Sequence, residues 1–213
     1  NHDIARTVSR WQDAKNQPES AKLLLTMLCS LQGVISIYQG EELGLPEANV
    51  PPAARKDFFG QQVIANYVGR DGCRTPLPWS QTHAHLGFSD HTPWLPAAQE
   101  HAPLAIDAQM ANTDSALHFT HALLKWRKNQ PALVEGSCRV LAFNDSLMVL
   151  ERHHESQTLI IALNGSAQDA TIRLNLPNTA ATIDVPHMNN VSAEANGVLN
   201  LKPWQAWIGE LNR

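Results

Sequence analysis

Residues 1–17 are polar and mixed, and the pattern changes at Pro18. Ala21, Leu23, Leu24, Leu25, Met27, Leu28 and Leu31 are apolar on nearly every side of a helical wheel, which predicts a largely buried helix. Pro18 suits a first helical turn and Glu19 suits the positive end of the helix dipole. Gly33 marks the stop. Val34-Ile35-Ser36-Ile37-Tyr38 follows, a β-branched run bounded by Gly33 and Gly40. It predicts a buried strand of the parallel type. Helix, glycine turn and buried strand in that order is the pattern of an α/β fold.

Residues 39–112 carry no sustained periodicity and are rich in Pro, Gly, His and Asn. We read them as a long functional loop region with short helical pieces. A second helix is expected over Asp114–Asn129, ended by Pro131. Beyond it, from Ala132 to Arg213, the pattern changes again. Strands are expected at Arg139–Phe143, Leu147–Arg152, Leu159–Leu163, Thr171–Leu176, Thr182–Val185, Val198–Leu201 and Ala206–Leu211. Turn pairs separate them, among them Asn144-Asp145, Asn164-Gly165 and Asn196-Gly197. Such spacing predicts an antiparallel sandwich. Two domains result, residues 1–131 and residues 132–213.

Composition narrows the classes of function. The chain has 213 residues, 43% of them hydrophobic and 17% charged, which is enough to build a core. A formal net charge of −4 argues against a protein that grips nucleic-acid phosphates. No run of about 18 apolar residues is present, so no membrane span is expected. Cys29, Cys73 and Cys138 are far apart and form no zinc-type or disulfide pattern. That usage fits a reducing compartment or an indifferent one, and a cytoplasmic location is the expectation. No signal peptide opens the chain at Asn1, which looks like a start inside something longer.

Four clusters could carry chemistry. They are Asn1-His2-Asp3 with Arg6 and Arg10, Tyr38-Gln39-Gly40-Glu41-Glu42-Leu43-Gly44 running to Glu47, Gly69–Pro76 with Trp79, and Gly87-Phe88-Ser89 with Trp94. Each has a plain structural alternative. An Arg-Asp pair braces many loops, and tryptophans among prolines are usually loop packing. His83, His85, His91 and His101 lack the spacing of a metal site and are read as loop histidines. Placement adds weight, because the second cluster begins where the buried strand ends. In an α/β barrel the working groups sit on loops at the carboxyl ends of strands. Carboxylates, histidine, arginines and aromatic faces suit a polyhydroxylated ligand.

Taken in this order, the clusters resemble the C-terminal part of an α-glucosidase of the α-amylase superfamily, glycoside hydrolase family 13. The likeness is to the bacterial α-glucosidase and oligo-1,6-glucosidase branch. Asn1-His2-Asp3 resembles the last catalytic motif at the end of barrel strand seven, and Tyr38–Gly44 resembles the end of strand eight. Arg70-Asp71-Gly72-Cys73-Arg74-Thr75-Pro76 resembles the signature loop that follows, and Pro203-Trp204 resembles part of the terminal sandwich. The implied fold is therefore the C-terminal portion of a (β/α)8 TIM barrel, from the end of strand seven, followed by an antiparallel β-sandwich. Asp57-Phe58-Phe59-Gly60 and Val63–Val68 depart from the family pattern.

The resemblance implies roles residue by residue. Asp3 is implied as the carboxylate that stabilises the distorted sugar ring near the transition state. His2 and Arg70 are implied as binding residues for the same glucose, Arg70 by contact or by bracing Asp3. Glu47 is a candidate for the next subsite. The nucleophile and the acid/base of such enzymes come from earlier strands and are absent here. Glu41 and Glu42 are read as structural. The implied substrate is an oligosaccharide or α-glucoside, with no nucleic acid or membrane partner. No cofactor is implied in this chain, and a divalent cation would belong to loops upstream of Asn1.

Alternatives remain. One is a transglucosylase or isomerase of the same superfamily. Another is a non-catalytic carbohydrate-binding or transporter-associated relative, against which Asp3 and His2 argue. A free-standing carbohydrate-binding module leaves residues 1–100 unexplained. Asn144-Asp145-Ser146, Asn164-Gly165-Ser166 and Asn190-Val191-Ser192 match the glycosylation triplet, but turns explain them.

Overall fold

A computed structural model describes residues 1–11, 17–59, 68–174, 180–182, 185 and 197–211. The chain forms two compact units. The first comprises Asn1–Gln17 and Ile37–His118, and the second Pro18–Ser36 and Phe119–Arg213.

The first unit is built mostly from turns. Its regular pieces are α1 (Thr7–Trp11), the 3-10 turns Pro52–Ala54, Asp71–Arg74, Ala84–Gly87 and Gln99–Leu104, and α3 (Ile106–Met110). Its apolar centre is Leu43, Leu45 and Leu117, flanked by Leu77, Leu104 and Ile106. Loops bury backbone groups that no ladder can satisfy, so side chains must do it. Gln109 shows how. It is buried, and its Nε2 donates to the carbonyls of Leu43 at 2.8 Å and Leu104 at 2.9 Å. Its Oε1 accepts the N–H of Leu117 at 3.0 Å.

The second unit holds α2 (Gln17–Ser30), most of α4 (Ala116–Arg127), α5 (Pro131–Val134) and seven strands. These are β1 (Ser137–Phe143), β2 (Leu147–His154), β3 (Gln157–Asn164), β4 (Ala170–Arg173), β5 (Ala180–Thr182), β6 (Val198–Leu201) and β7 (Ala206–Leu211). All pairings are antiparallel among the described residues, giving one sheet ordered β1-β2-β3-β7-β5 and a second of β4 and β6. Val149, Ile160, Ala162 and Trp207 from the large sheet pack with Leu199 and Leu201 from the small one. Gly209 is required there, because a Cβ would collide with the Trp207 ring.

The other face of the large sheet is also covered. It lies against α5 and carries Arg152, which is fully buried. The Arg152 guanidinium donates to the carbonyls of Ser30 (2.8 Å) and Leu31 (2.9 Å) at the end of α2. It also donates to Ser137 (3.1 Å), Leu133 (3.3 Å) and Gly136 (2.8 Å). One side chain thus caps the helix and fixes the strand edge, in place of the carbonyl partners a helix end otherwise lacks.

The helix expected from Pro18 forms and ends before Gly33, whose φ of +111° needs glycine. The buried strand expected at Val34–Tyr38 does not form. Residues 34–38 have no ladder partner among the described residues, and Val34 is fully exposed. A parallel strand exists only through its neighbours, and the described residues supply none. The expected sandwich strands match the observed ones to within three residues at each described end. The parts of Thr171–Leu176 and Thr182–Val185 at 175–176 and 183–184 lie outside the described residues, as do Val63–Tyr67 and the Asn190 triplet. Asn144 and Asn164 are structural. Asn144 Oδ1 accepts the N–H groups of Ser146 (2.9 Å) and Leu147 (2.8 Å), and Asn164 is fully buried.

Candidate functional site

The site residues all lie in the first unit. Asn1 Oδ1 accepts the N–H of Asp3 at 2.9 Å, a local turn that lifts the Asp3 carboxylate outward. That side chain is half exposed, yet one of its oxygens is held twice. Oδ1 accepts from Arg70 Nη1 at 2.8 Å and from Arg74 Nη2 at 3.2 Å. Oδ2 faces His2 Nε2 at 3.4 Å. Arg74 also donates through Nε to the His2 carbonyl at 2.7 Å, which fixes the peptide between the two residues.

Arg70 is itself anchored. Its Nε and Nη2 donate to the two oxygens of Asp57, both at 2.9 Å, and its backbone N–H reaches Asp57 Oδ2 at 2.8 Å. The Asp57 carboxylate is nearly buried, and Arg70 lies over the Phe59 ring at 5.1 Å. A planar guanidinium matches a carboxylate in this two-point geometry better than an ammonium could. Asp71 supports the arrangement from beneath, accepting the N–H groups of Lys56 (2.6 Å) and Asp57 (2.9 Å).

The electrostatics follow from these contacts. The hydrogen bond from Arg70 holds the Asp3 carboxyl below its ordinary range, with His2, Arg70 and Arg74 adding to the pull. Asp57 is held far below it by the same arginine. Bonds to Asp57 and then Asp3 raise the Arg70 guanidinium further. Asp3 is therefore ionised throughout the neutral range. It presents a negative oxygen on a surface lined by N–H donors, a pattern that can take two neighbouring hydroxyls of one ring.

His2, Asp3 and Arg70 are thus brought together as the sequence suggested. Arg70 braces Asp3 directly. Glu47 is not in hydrogen-bond contact with them. Its Oε2 accepts the N–H of Arg6 at 3.2 Å, and its own N–H donates to Ser9 Oγ at 2.6 Å. Burial pushes the Glu47 carboxyl up. Glu41 and Glu42 fold back on their own turn, accepting the N–H groups of Tyr38 (3.3 Å) and Gly40 (2.7 Å). Trp79 and Trp94 are exposed rather than packed into the loops, at 52% and 68%.

Asp57 and Arg74 were not singled out from sequence as site residues. Asp57 was noticed only because Phe58-Phe59 departs from the family pattern, and no local spacing announces its partner 13 positions away. Among the described residues no group of three or more His, Cys, Asp or Glu could hold a metal ion. No helix among them is long and apolar enough to cross a membrane.

Residues 1–136 match the family described as the alpha-amylase catalytic domain. The chain belongs to the alpha-amylase family. Over 175 residues, 82% of the chain, it is 41% identical to a probable alpha-glucosidase of Rhizobium meliloti (strain 1021). Over 230 residues it is 29% identical to an oligo-1,6-glucosidase of Parageobacillus thermoglucosidasius, covering 98% of the chain. The chain spans 32% and 41% of the lengths of these two relatives. The crystal structure of an alpha-glucosyl transfer enzyme, XgtA, superposes on all of the chain with a TM-score of 0.94 at 37% identity. The chain covers 39% of that structure. This alpha-amylase family chain therefore has the fold read from its sequence, the last part of the barrel domain and an antiparallel sandwich.

Proposed function

We propose that the chain supplies Asp3, His2 and Arg70 to a retaining α-glucosidase that removes terminal α-linked glucose from short α-glucosides. Residues 1–131 would be the closing part of its barrel and residues 132–213 its sandwich. The observation that carries this reading is the half-exposed Asp3 carboxylate, held ionised by two arginines beside a histidine. As positive charge develops on the sugar ring, a fixed carboxylate that bonds the ring hydroxyls more strongly lowers the barrier rather than KM alone. Arg74 and Asp57 hold the group in place without reorganisation. The nucleophile and the acid/base lie outside these residues, about 5–5.5 Å apart in such enzymes.

A second reading is glucosyl transfer. The 37% identity to an alpha-glucosyl transfer enzyme favours it as much as the alpha-glucosidase relatives favour hydrolysis. Both reactions share a covalent glycosyl intermediate and differ in whether water or a sugar accepts the glucose. One experiment separates them. The full reading frame containing this chain is given maltose, and the products are followed by proton NMR. Early release of α-glucose at about two glucoses per maltose supports hydrolysis. Glucose held near one per two maltoses consumed, with new oligosaccharides, supports transfer. β-Glucose formed at first in excess of the share that the maltose reducing end itself supplies refutes the retaining mechanism altogether.

A further inference from the structure

Arg6 takes no part in the cluster around Asp3, yet it is among the most buried side chains of the protein, 2% exposed. Its guanidinium is satisfied by backbone carbonyls. Nη1 donates to Gly72 at 3.1 Å and to Pro46 at 3.4 Å, and Nε donates to Gln39 at 3.5 Å. Its own backbone N–H is taken by Glu47 Oε2. Desolvation draws the guanidinium pKa down, and Glu47 offsets part of that.

These partners are unusual in where they lie. Arg6 follows Asp3 by three residues in one segment. Gly72 sits midway between Arg70 and Arg74, the two arginines that hold Asp3. Gln39 and Pro46 bracket the turn through Glu41 and Glu42. The junction is tight. A Cβ on Gly72 would collide with the Glu47 carboxylate and the Ala48 carbonyl, and a Cβ on Gly40 would press on Arg6 Nε and Leu45. His101 Nε2 donates to the same Pro46 carbonyl at 3.1 Å.

We propose that Arg6 is a positioning residue for the reaction. It locks the segment that carries Asp3 to the loop that carries Arg70 and Arg74 and to the turn from Gln39 to Pro46, and so sets the distance between Asp3 and the Arg70–Arg74 pair. A guanidinium can do this because its donors point in several fixed directions, whereas an ammonium is a single compact centre. Small errors in such placement cost rate rather than binding, because the interactions that matter strengthen only in the transition state. The proposal rests on the reading of Asp3 given above.

The test uses the full reading frame and p-nitrophenyl α-glucoside, with four variants. Arg152→Lys is the control, an equally buried arginine on carbonyls in the other compact unit. Arg6→Lys is expected to lower kcat about 30-fold with KM within about threefold, an error in placement of well under an ångström. Arg152→Lys is expected to lower the melting temperature while keeping kcat within twofold. Ser9→Ala removes the acceptor for the Glu47 N–H on an exposed residue, so the protein folds even if Arg6→Lys does not. It is expected to lower kcat about threefold at unchanged melting temperature. Wild-type kcat in Arg6→Lys overturns the proposal, as does an equal loss of kcat in Arg152→Lys; where Arg6→Lys does not fold, wild-type kcat in Ser9→Ala overturns it. Full activity in the fourth variant, Asp3→Asn, overturns the reading beneath it. A dead Asp3→Asn with a normal Arg6→Lys refutes the positioning role alone.

Discussion

Arg6 and Arg152 make the same contacts in two very different settings. Both guanidiniums are buried, and both are held by backbone carbonyls, with no carboxylate among the hydrogen-bond partners described. Around Arg152 the scaffold is a sheet. Eight paired positions join β2 to β3, and Trp207 fills the space between the sheets. Around Arg6 the described residues form no sheet. Turns supply the frame, and Gln109, Asp71, His101 and Arg6 supply the bonds that a ladder would otherwise make. The sandwich thus gains most of its order from repeating backbone pairing. The site half gains it from individual side chains, each of which fixes a loop where the chemistry needs it.

That contrast can be pressed by substitution in the full reading frame. The largest effect is expected at Arg152. Arg152→Ala takes a donor from five carbonyls, two of them at the end of α2, with only that of Leu133 keeping Arg127 as a second donor among the side chains described, and leaves a cavity. A loss of about 4 kcal/mol or more in denaturant unfolding is expected. A loss below about 1 kcal/mol means the helix end does not depend on it.

The next effect is a pH dependence. His101 is fully buried, and its Nε2 donates to Pro46 while Nδ1 has no partner among the described residues. Desolvation, helped by Arg6 and opposed by Glu100 and the bond to Pro46, lowers its pKa to about 4. The unfolded chain binds the proton more readily, so stability is complete above about pH 6.5 and is lost as pH falls toward about 4. The full difference is on the order of 3 kcal/mol. Unfolding curves at pH 7 and pH 4.5 measure it, and His101→Gln is expected to flatten the slope between them. An unchanged slope in that variant places the titrating group elsewhere.

A smaller effect belongs to Asp57. Asp57→Asn turns an acceptor that faces Arg70 into a donor, and frees the arginine that braces Asp3. About a tenfold fall in kcat is expected, near 1.4 kcal/mol of barrier. The smallest is at Lys202, whose 2.8 Å pair with Asp169 is exposed on both sides. Lys202→Ala is expected to change stability by less than about 1 kcal/mol.

The same contrast explains what the sequence disclosed. The strands could be placed because short apolar, β-branched runs such as Leu159–Leu163 recur at regular spacing and asparagine turns separate them. Helix α2 could be placed from Leu23, Leu24, Leu25 and Leu28 and its flanking Pro18 and Gly33. The strand expected at Val34–Tyr38 does not form because a parallel strand needs a neighbour to pair with, the described residues supply none, and Val34 is left fully exposed. In the site half, Asp3, His2 and Arg70 were legible through motif resemblance. Asp57 and Arg74 joined the site only in three dimensions, since Arg74 reaches His2 across 72 positions. His101 was taken for a loop histidine and is instead a buried brace, which no local pattern distinguishes.

The central claim is that Asp3 is the carboxylate on which the sugar chemistry turns. It is tested most directly by kcat/KM on p-nitrophenyl α-glucoside for Asp3→Asn against the unaltered protein, both from the full reading frame. Asn keeps the size of the side chain but removes the charge that opposes the developing cation. We expect a fall of about a thousandfold with the melting temperature changed by only a few degrees. Activity within tenfold of the unaltered protein, in a variant that melts normally, contradicts the claim.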